Sequence, residues 1–288
     1  MRLPLVLPLF SAFVYAIAAL LLKRATERGV GPWRVNFVAN CMQTAIFAPY
    51  WLAGGQRFSW LNLACAATCG LTFFIGQIFT FLALSRGDVS VATPVLGTKV
   101  IFVAFFAVLL GAEPLTGGMW LAALLTTAAT ALLGAGSGPR EHSLAWSLFF
   151  GFAAAASFAL TDVLAQEWAP RWGFGHFAPA MFATVGLLSF TLVPFFSGPL
   201  RAVPWRWVVP GAIALGIQAS GIAYSIMVFG SATTTNIVYN SRGVWSVLLV
   251  WTIGHWFDNR EQAQGHGVML RRLAGSTLLL VAIVLATR

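Results

Sequence analysis

From residue 3 to residue 286 the chain is a succession of apolar runs about twenty residues long, and most of its charge falls in the short breaks between them. A run of that length, coiled as a helix, crosses the ~30 Å hydrocarbon layer of a bilayer. Composition agrees: 59% of residues are hydrophobic and 9% charged, against about 25% charged in a soluble domain. The 288 residues suffice for about ten such helices with very short loops, and for nothing else. The first run continues to Leu22 without an Ala-x-Ala cleavage site, so it reads as a retained helix rather than a removed signal. The expected fold is an all-α integral membrane protein with ten transmembrane helices.

The runs predict helices at about 3–22, 33–53, 60–84, 89–112 and 118–135, then 143–168, 176–196, 205–229, 232–256 and 268–286. Glu113-Pro114 stops the fourth, as proline would. The linker at 136–140, Gly-Ser-Gly-Pro-Arg, divides the chain into units 1–138 and 139–288. The second unit repeats the plan of the first at an offset of 143, the separation of Lys99 from Arg242. The same offset carries Gly87 onto Gly230 and Gly111 onto Gly254. Five is an odd number, so a second five-helix copy in the same chain lies upside down relative to the first. That inverted-repeat design is shared by many secondary transporters, whose substrate sites lie at the repeat interface near the midplane.

Lys99 and Arg242 are the residues that most need explaining. Lys99 stands ten residues into its predicted helix, so ~15 Å deep at 1.5 Å per residue. A cation at that depth costs ~3 kcal/mol on insertion scales. It is tolerable beside an acid or in a wet cavity. Asp162 is the deep acid available, and one carboxylate cannot neutralise two cations. The other reading is that both cations contact an anionic substrate group, Arg as a planar fork and Lys as a point charge. Asp162 is then a charge partner or a coupling carboxylate.

Polar residues near these cations predict a cavity. Asn36, Asn40 and Gln43 share one face of the second helix. Thr235, Tyr239 and Arg242 share a face of the ninth, with Asn236, Asn240 and Ser241 beside it. Gln77 and Gln218 are further candidates, and Tyr15, Phe102, Tyr224 and Trp245 could supply aromatic walls. For each, plain packing or interhelical hydrogen bonding is the competing reading.

Several function classes drop out. The net charge of +9 lies on no soluble basic cluster, which argues against nucleic acid. Cys41, Cys65 and Cys69 fall in apolar runs with no His or acid nearby, so they read as packing residues and no metal is expected. No nucleophile elbow, zinc-protease or phosphate-loop signature appears, so neither an enzyme nor a cofactor is expected. The partners expected are the lipid bilayer and a small-molecule substrate, with a monomer sufficient.

The segment Ala83-Leu84-Ser85-Arg86-Gly87-Asp88-Val89-Ser90-Val91-Ala92-Thr93, followed by an apolar helix and Gly111-Ala112-Glu113-Pro114-Leu115-Thr116, resembles the signature of the drug/metabolite transporter superfamily, in its ten-helix EamA-like branch. The resemblance implies an inverted-repeat carrier with a central cavity lined by both halves, in a cell membrane such as the bacterial inner membrane. Family members often carry Glu or Gln followed by Pro in the fourth and ninth helices. Here those pairs read Lys99-Val100 and Arg242-Gly243, and Trp256 replaces an acidic residue at the end of the ninth. Export of cationic drugs is therefore disfavoured. Plastid sugar-phosphate translocators, distant relatives, meet phosphate with basic residues on the corresponding helices. The expected function is secondary transport of a small solute bearing a carboxylate or phosphate. The alternatives are an exporter of amino acids or amphipathic compounds and a lipid-headgroup flippase. Eleven Lys and Arg, from Lys23 to Arg272, flank one set of loops and four the other, which places both termini outside by the positive-inside rule. The resemblance implies the opposite.

Overall fold

The computed structural model describes residues 3–86, 95–134, 144–199, 203–253 and 266–286. The predicted linker at 136–140, most of the loop at 258–267, the first residues of the fourth predicted helix, and Gly87, Gly254 and Trp256 lie outside them. Within the described residues the chain is helical, without strands. Its α-helices are α1 (Leu3–Glu27), α2 (Pro32–Phe47), α3 (Trp60–Arg86), α4 (Lys99–Leu109), α5 (Gly117–Gly134), α6 (Leu144–Trp172), α7 (Phe174–Ser189), α8 (Trp205–Phe229), α9 (Ala232–Tyr239), α10 (Arg242–Ile253) and α11 (His266–Ala286). Five spans are long and apolar enough to cross a membrane: Leu3–Glu27, Trp60–Ala83, Leu148–Trp172, Phe174–Phe195 and Trp205–Phe229.

Local chemistry explains the boundaries. Gly29 takes φ +87° after α1, and Pro32 opens α2 where its missing N–H is not needed. Gly173, also at φ +87°, separates α6 from α7. Both α2 and α7 are 16 residues long, and each runs into a six-residue 3-10 helix, Ala48–Ala53 and Phe190–Phe195.

The predicted ninth helix is two helices. Asn240-Ser241 forms a turn between α9 and α10, and Gly97-Thr98 forms the matching turn before α4. The bonds match as well. The Thr98 N–H donates to Val95 O at 3.0 Å and the Ser241 N–H to Val238 O at 3.1 Å. Ile101 N–H donates to Thr98 O and Val244 N–H to Ser241 O, both at 2.9 Å. These three-residue bonds tighten the chain out of the α-helix. The residue types favour that: the Thr98 hydroxyl donates to Val95 O at 2.6 Å, and Gly, Asn and Ser are poor interior helix formers. Hydropathy reads only the apolar content, so it ran both segments through as single helices.

Packing pairs the helices in a two-fold pattern. α1 lies along α8 as α6 lies along α3, and α1 meets α9 and α10 as α6 meets α4. α2 packs on α7, and α5 on α11. Small residues set these approaches, as in other membrane bundles. A Cβ on Gly70 of α3 would stand 2.6 Å from Met181 O and 2.8 Å from Thr184 Cβ on α7. Ala16, Ala154, Ala159 and Ala212 are wholly buried. Gly70→Val is expected to lower the melting temperature in detergent, since forcing α3 from α7 costs about 1–3 kcal/mol. An unchanged melting temperature would refute so close an approach.

Candidate functional site

Five helices present regular stripes to one internal cavity of about 530 Å³. α1 contributes Tyr15, Ala19, Leu22 and Thr26; α2 contributes Pro32, Asn36, Ala39 and Gln43. α3 adds Phe73, Gln77, Thr80 and Phe81, and α6 adds Phe158, Thr161, Asp162 and Ala165. α8 adds Leu215, Gln218, Ala219, Ile222 and Ile226. Each stripe runs at three- and four-residue steps, the period of one helix face. Thr26 and Pro32 are exposed, so they mark a rim at the α1–α2 end.

Lys99 and Arg242 both line this cavity, each as the first residue of the helix that follows a turn. Lys99 Nζ lies 2.7 Å from Asp162 Oδ2. The same oxygen accepts from Asn236 Nδ2 at 2.7 Å, and Asn236 also donates to Ala232 O. Lys99 stands over the Phe158 ring at 5.9 Å.

Arg242 is held differently. Its guanidinium lies 4.8 Å from the centres of both the Tyr15 and Tyr239 rings. Tyr239 in turn donates from its hydroxyl to Gln218 Oε1 at 2.8 Å. Among the described residues Arg242 has no carboxylate partner. The two rings stand at 76° to each other, so they bound the guanidinium on two sides.

The other sequence-predicted residues divide. Tyr15, Gln43, Gln77, Gln218, Tyr239 and Asp162 line the cavity. Asn40 does not. It is fully buried one step round α2, where Asn40 and Gln77 exchange amide bonds at 2.8 Å and Asn40 donates to Ser189 Oγ at 2.7 Å. Asn240 and Ser241 form the turn itself and are buried beside the cavity rather than in its wall. Trp245 packs edge-on against Phe13 at 5.3 Å, and Tyr224 packs on Phe174 and Phe229 with a third of its surface exposed. Sequence reasoning missed Phe73, Phe158, Thr161 and Phe182 as wall residues. Phe158 and Thr161 were accessible to it, since they share the Asp162 face of α6. The three cysteines are free thiols.

At the opposite end the halves are tied together. Gln166 donates to Ala112 O at 3.0 Å and accepts from the Ala232 N–H at 2.6 Å. Glu113 accepts from the Ser231 hydroxyl at 3.4 Å and the Thr233 N–H at 3.5 Å, which satisfies the start of α9. Burial holds the Glu113 carboxyl above its ordinary pKa, and these bonds partly offset the rise.

Comparison with known proteins places this arrangement. The model of the EamA-like transporter family matches residues 2–135. That family is part of the drug/metabolite transporter superfamily, and the match covers just under half of the chain. The match and the five long apolar spans among the described residues support a multi-pass membrane protein and suggest a membrane transporter of small solutes. One solved crystal structure covers 100% of this chain and 99% of its own, with a TM-score of 0.75 and 22% identity, which shows the fold. A search of curated proteins finds no match.

Asn40→Ala is expected to destabilise the protein by about 1–3 kcal/mol, because it strands the Gln77 amide. Denaturant-dependent unfolding in micelles measures this. A variant as stable as the parent would show that the Asn40–Gln77 bonds contribute nothing.

Proposed function

We propose that this chain is a secondary transporter of a small solute bearing a carboxylate or phosphate, working by alternating access between two inverted five-helix repeats. The observation that carries the reading is Arg242, a cation on the cavity wall, 4.8 Å from the centres of two tyrosine rings and without a carboxylate partner among the described residues. A bare cation at that depth is expensive unless water or a ligand reaches it.

The repeat is supported by the matched turns, the matched 16- and six-residue helices of α2 and α7, and the exchanged packing partners. The site also obeys the 143-residue offset. Lys99 stands over Phe158 as Arg242 stands over Tyr15. Leu96 and Tyr239 are likewise matched on the cavity wall. Access at the Thr26 and Pro32 rim, with the Glu113 and Gln166 bonds closing the opposite end, suits one of the two states that alternating access requires. Export of amino acids is the second reading, favoured by a carboxylate and the Phe73, Phe158 and Phe182 rings in the same cavity as Arg242.

A thermal-shift screen of the purified protein against phosphate esters, carboxylates, sulfonates and amino acids tests the proposal. An anion that stabilises the parent is expected to bind Arg242→Gln at least about tenfold more weakly, as loss of a charge-assisted bond predicts. Arg242→Lys should recover only part of the loss, because the planar fork is gone. Undiminished binding to Arg242→Gln would overturn the anion reading.

A further inference from the structure

The cations of this cavity follow the internal offset, but the counter-ion does not. Lys99 and Arg242 correspond, as do Phe158 and Tyr15 beneath them. Asp162, which holds Lys99 at 2.7 Å, corresponds to Ala19. Ala19 lines the cavity on α1, so the place is present and the carboxylate is missing from it. Among the described residues the charged groups of the cavity wall are Lys99, Asp162 and Arg242.

From this asymmetry we infer that Asp162 is a specificity-determining residue: by neutralising Lys99 it leaves the site with one net positive charge and selects singly charged anions over doubly charged ones. The inference rests on the anion reading above and goes beyond it by naming the charge class of the solute. Asp162 is well placed to act in this way. Its Oδ2 takes both the Lys99 ammonium and the Asn236 amide, which fixes the carboxylate in the cavity wall. A second anionic charge would have to approach that carboxylate, and like charges in a partly desolvated site repel strongly. The amides of Gln43, Gln77 and Gln218 offer the rest of the solute neutral hydrogen bonds.

Binding of two probes of similar shape reads the selectivity: benzenesulfonate, a monoanion, and phenyl phosphate, a dianion at pH 8. The parent protein should prefer benzenesulfonate. Asp162→Asn raises the cavity charge by one unit and should move the preference towards phenyl phosphate by about tenfold or more. The double variant Lys99→Gln with Asp162→Asn restores the single net charge and should return the ratio towards the parent value. It also serves if Asp162→Asn alone does not fold. A ratio unmoved in Asp162→Asn, or a double variant that keeps a dianion preference, would overturn the inference while leaving the anion site standing. Failure of both probes to bind the parent, or their undiminished binding to Arg242→Gln, would instead overturn the anion reading and this inference with it.

Discussion

Two cations at mid-depth in an apolar bundle constrain everything around them. Each would cost ~3 kcal/mol against lipid, a large share of the 5–15 kcal/mol that holds a typical fold together. The chain meets that cost in two ways. Lys99 is given a carboxylate, with Asn236 as a further donor to the same oxygen. Arg242 is given aromatic faces and a polar cavity. Both solutions require that α4, α6, α9, α10 and α1 turn their polar atoms inward together. The stripes on those helices and the turns at 97–98 and 240–241 follow from that requirement.

The turns do more than bend the chain. Tightening to three-residue bonds begins a new helix at each cation and sets Lys99 and Arg242 on the cavity wall as the first residues of those helices. A lysine or arginine at a helix start is unfavourable on its own. Here one stands at each of the two helix starts, on the cavity wall. The rigid frame for this is the close packing of α3, α7 and α2 through Gly70, Gly186 and the Thr44 hydroxyl, which donates to Phe182 O across the α2–α7 contact.

Much of this was legible in the sequence because it is written in hydropathy and charge. The apolar runs mark the long helices, and the offset pairs Lys99 with Arg242. Gln43, Gln77, Gln218 and Tyr239 stand out because a polar atom in such a run needs a partner. What was not legible depends on angle. Asn40 lies only one step round α2 from Asn36, yet that step takes it out of the cavity and into bonds with Gln77 and Ser189. Trp245 and Tyr224 carry the same aromatic signal as Tyr15 but face Phe13 and Phe174. The turn at Asn240-Ser241 was hidden because one turn of helix changes no hydropathy sum.

The 143-residue offset pairs positions of the cavity wall that are alike in packing and unlike in charge. Phe158 and Tyr15 keep an aromatic floor under each cation, so the stacking geometry survives the difference. Asp162 and Ala19 both line the cavity and differ in charge. A symmetric pair of carboxylates would cancel both cations and leave no net attraction for an anion, and a symmetric pair of alanines would leave two uncompensated charges in the bilayer. One acid for two cations leaves a single net positive charge among the described residues of the cavity wall.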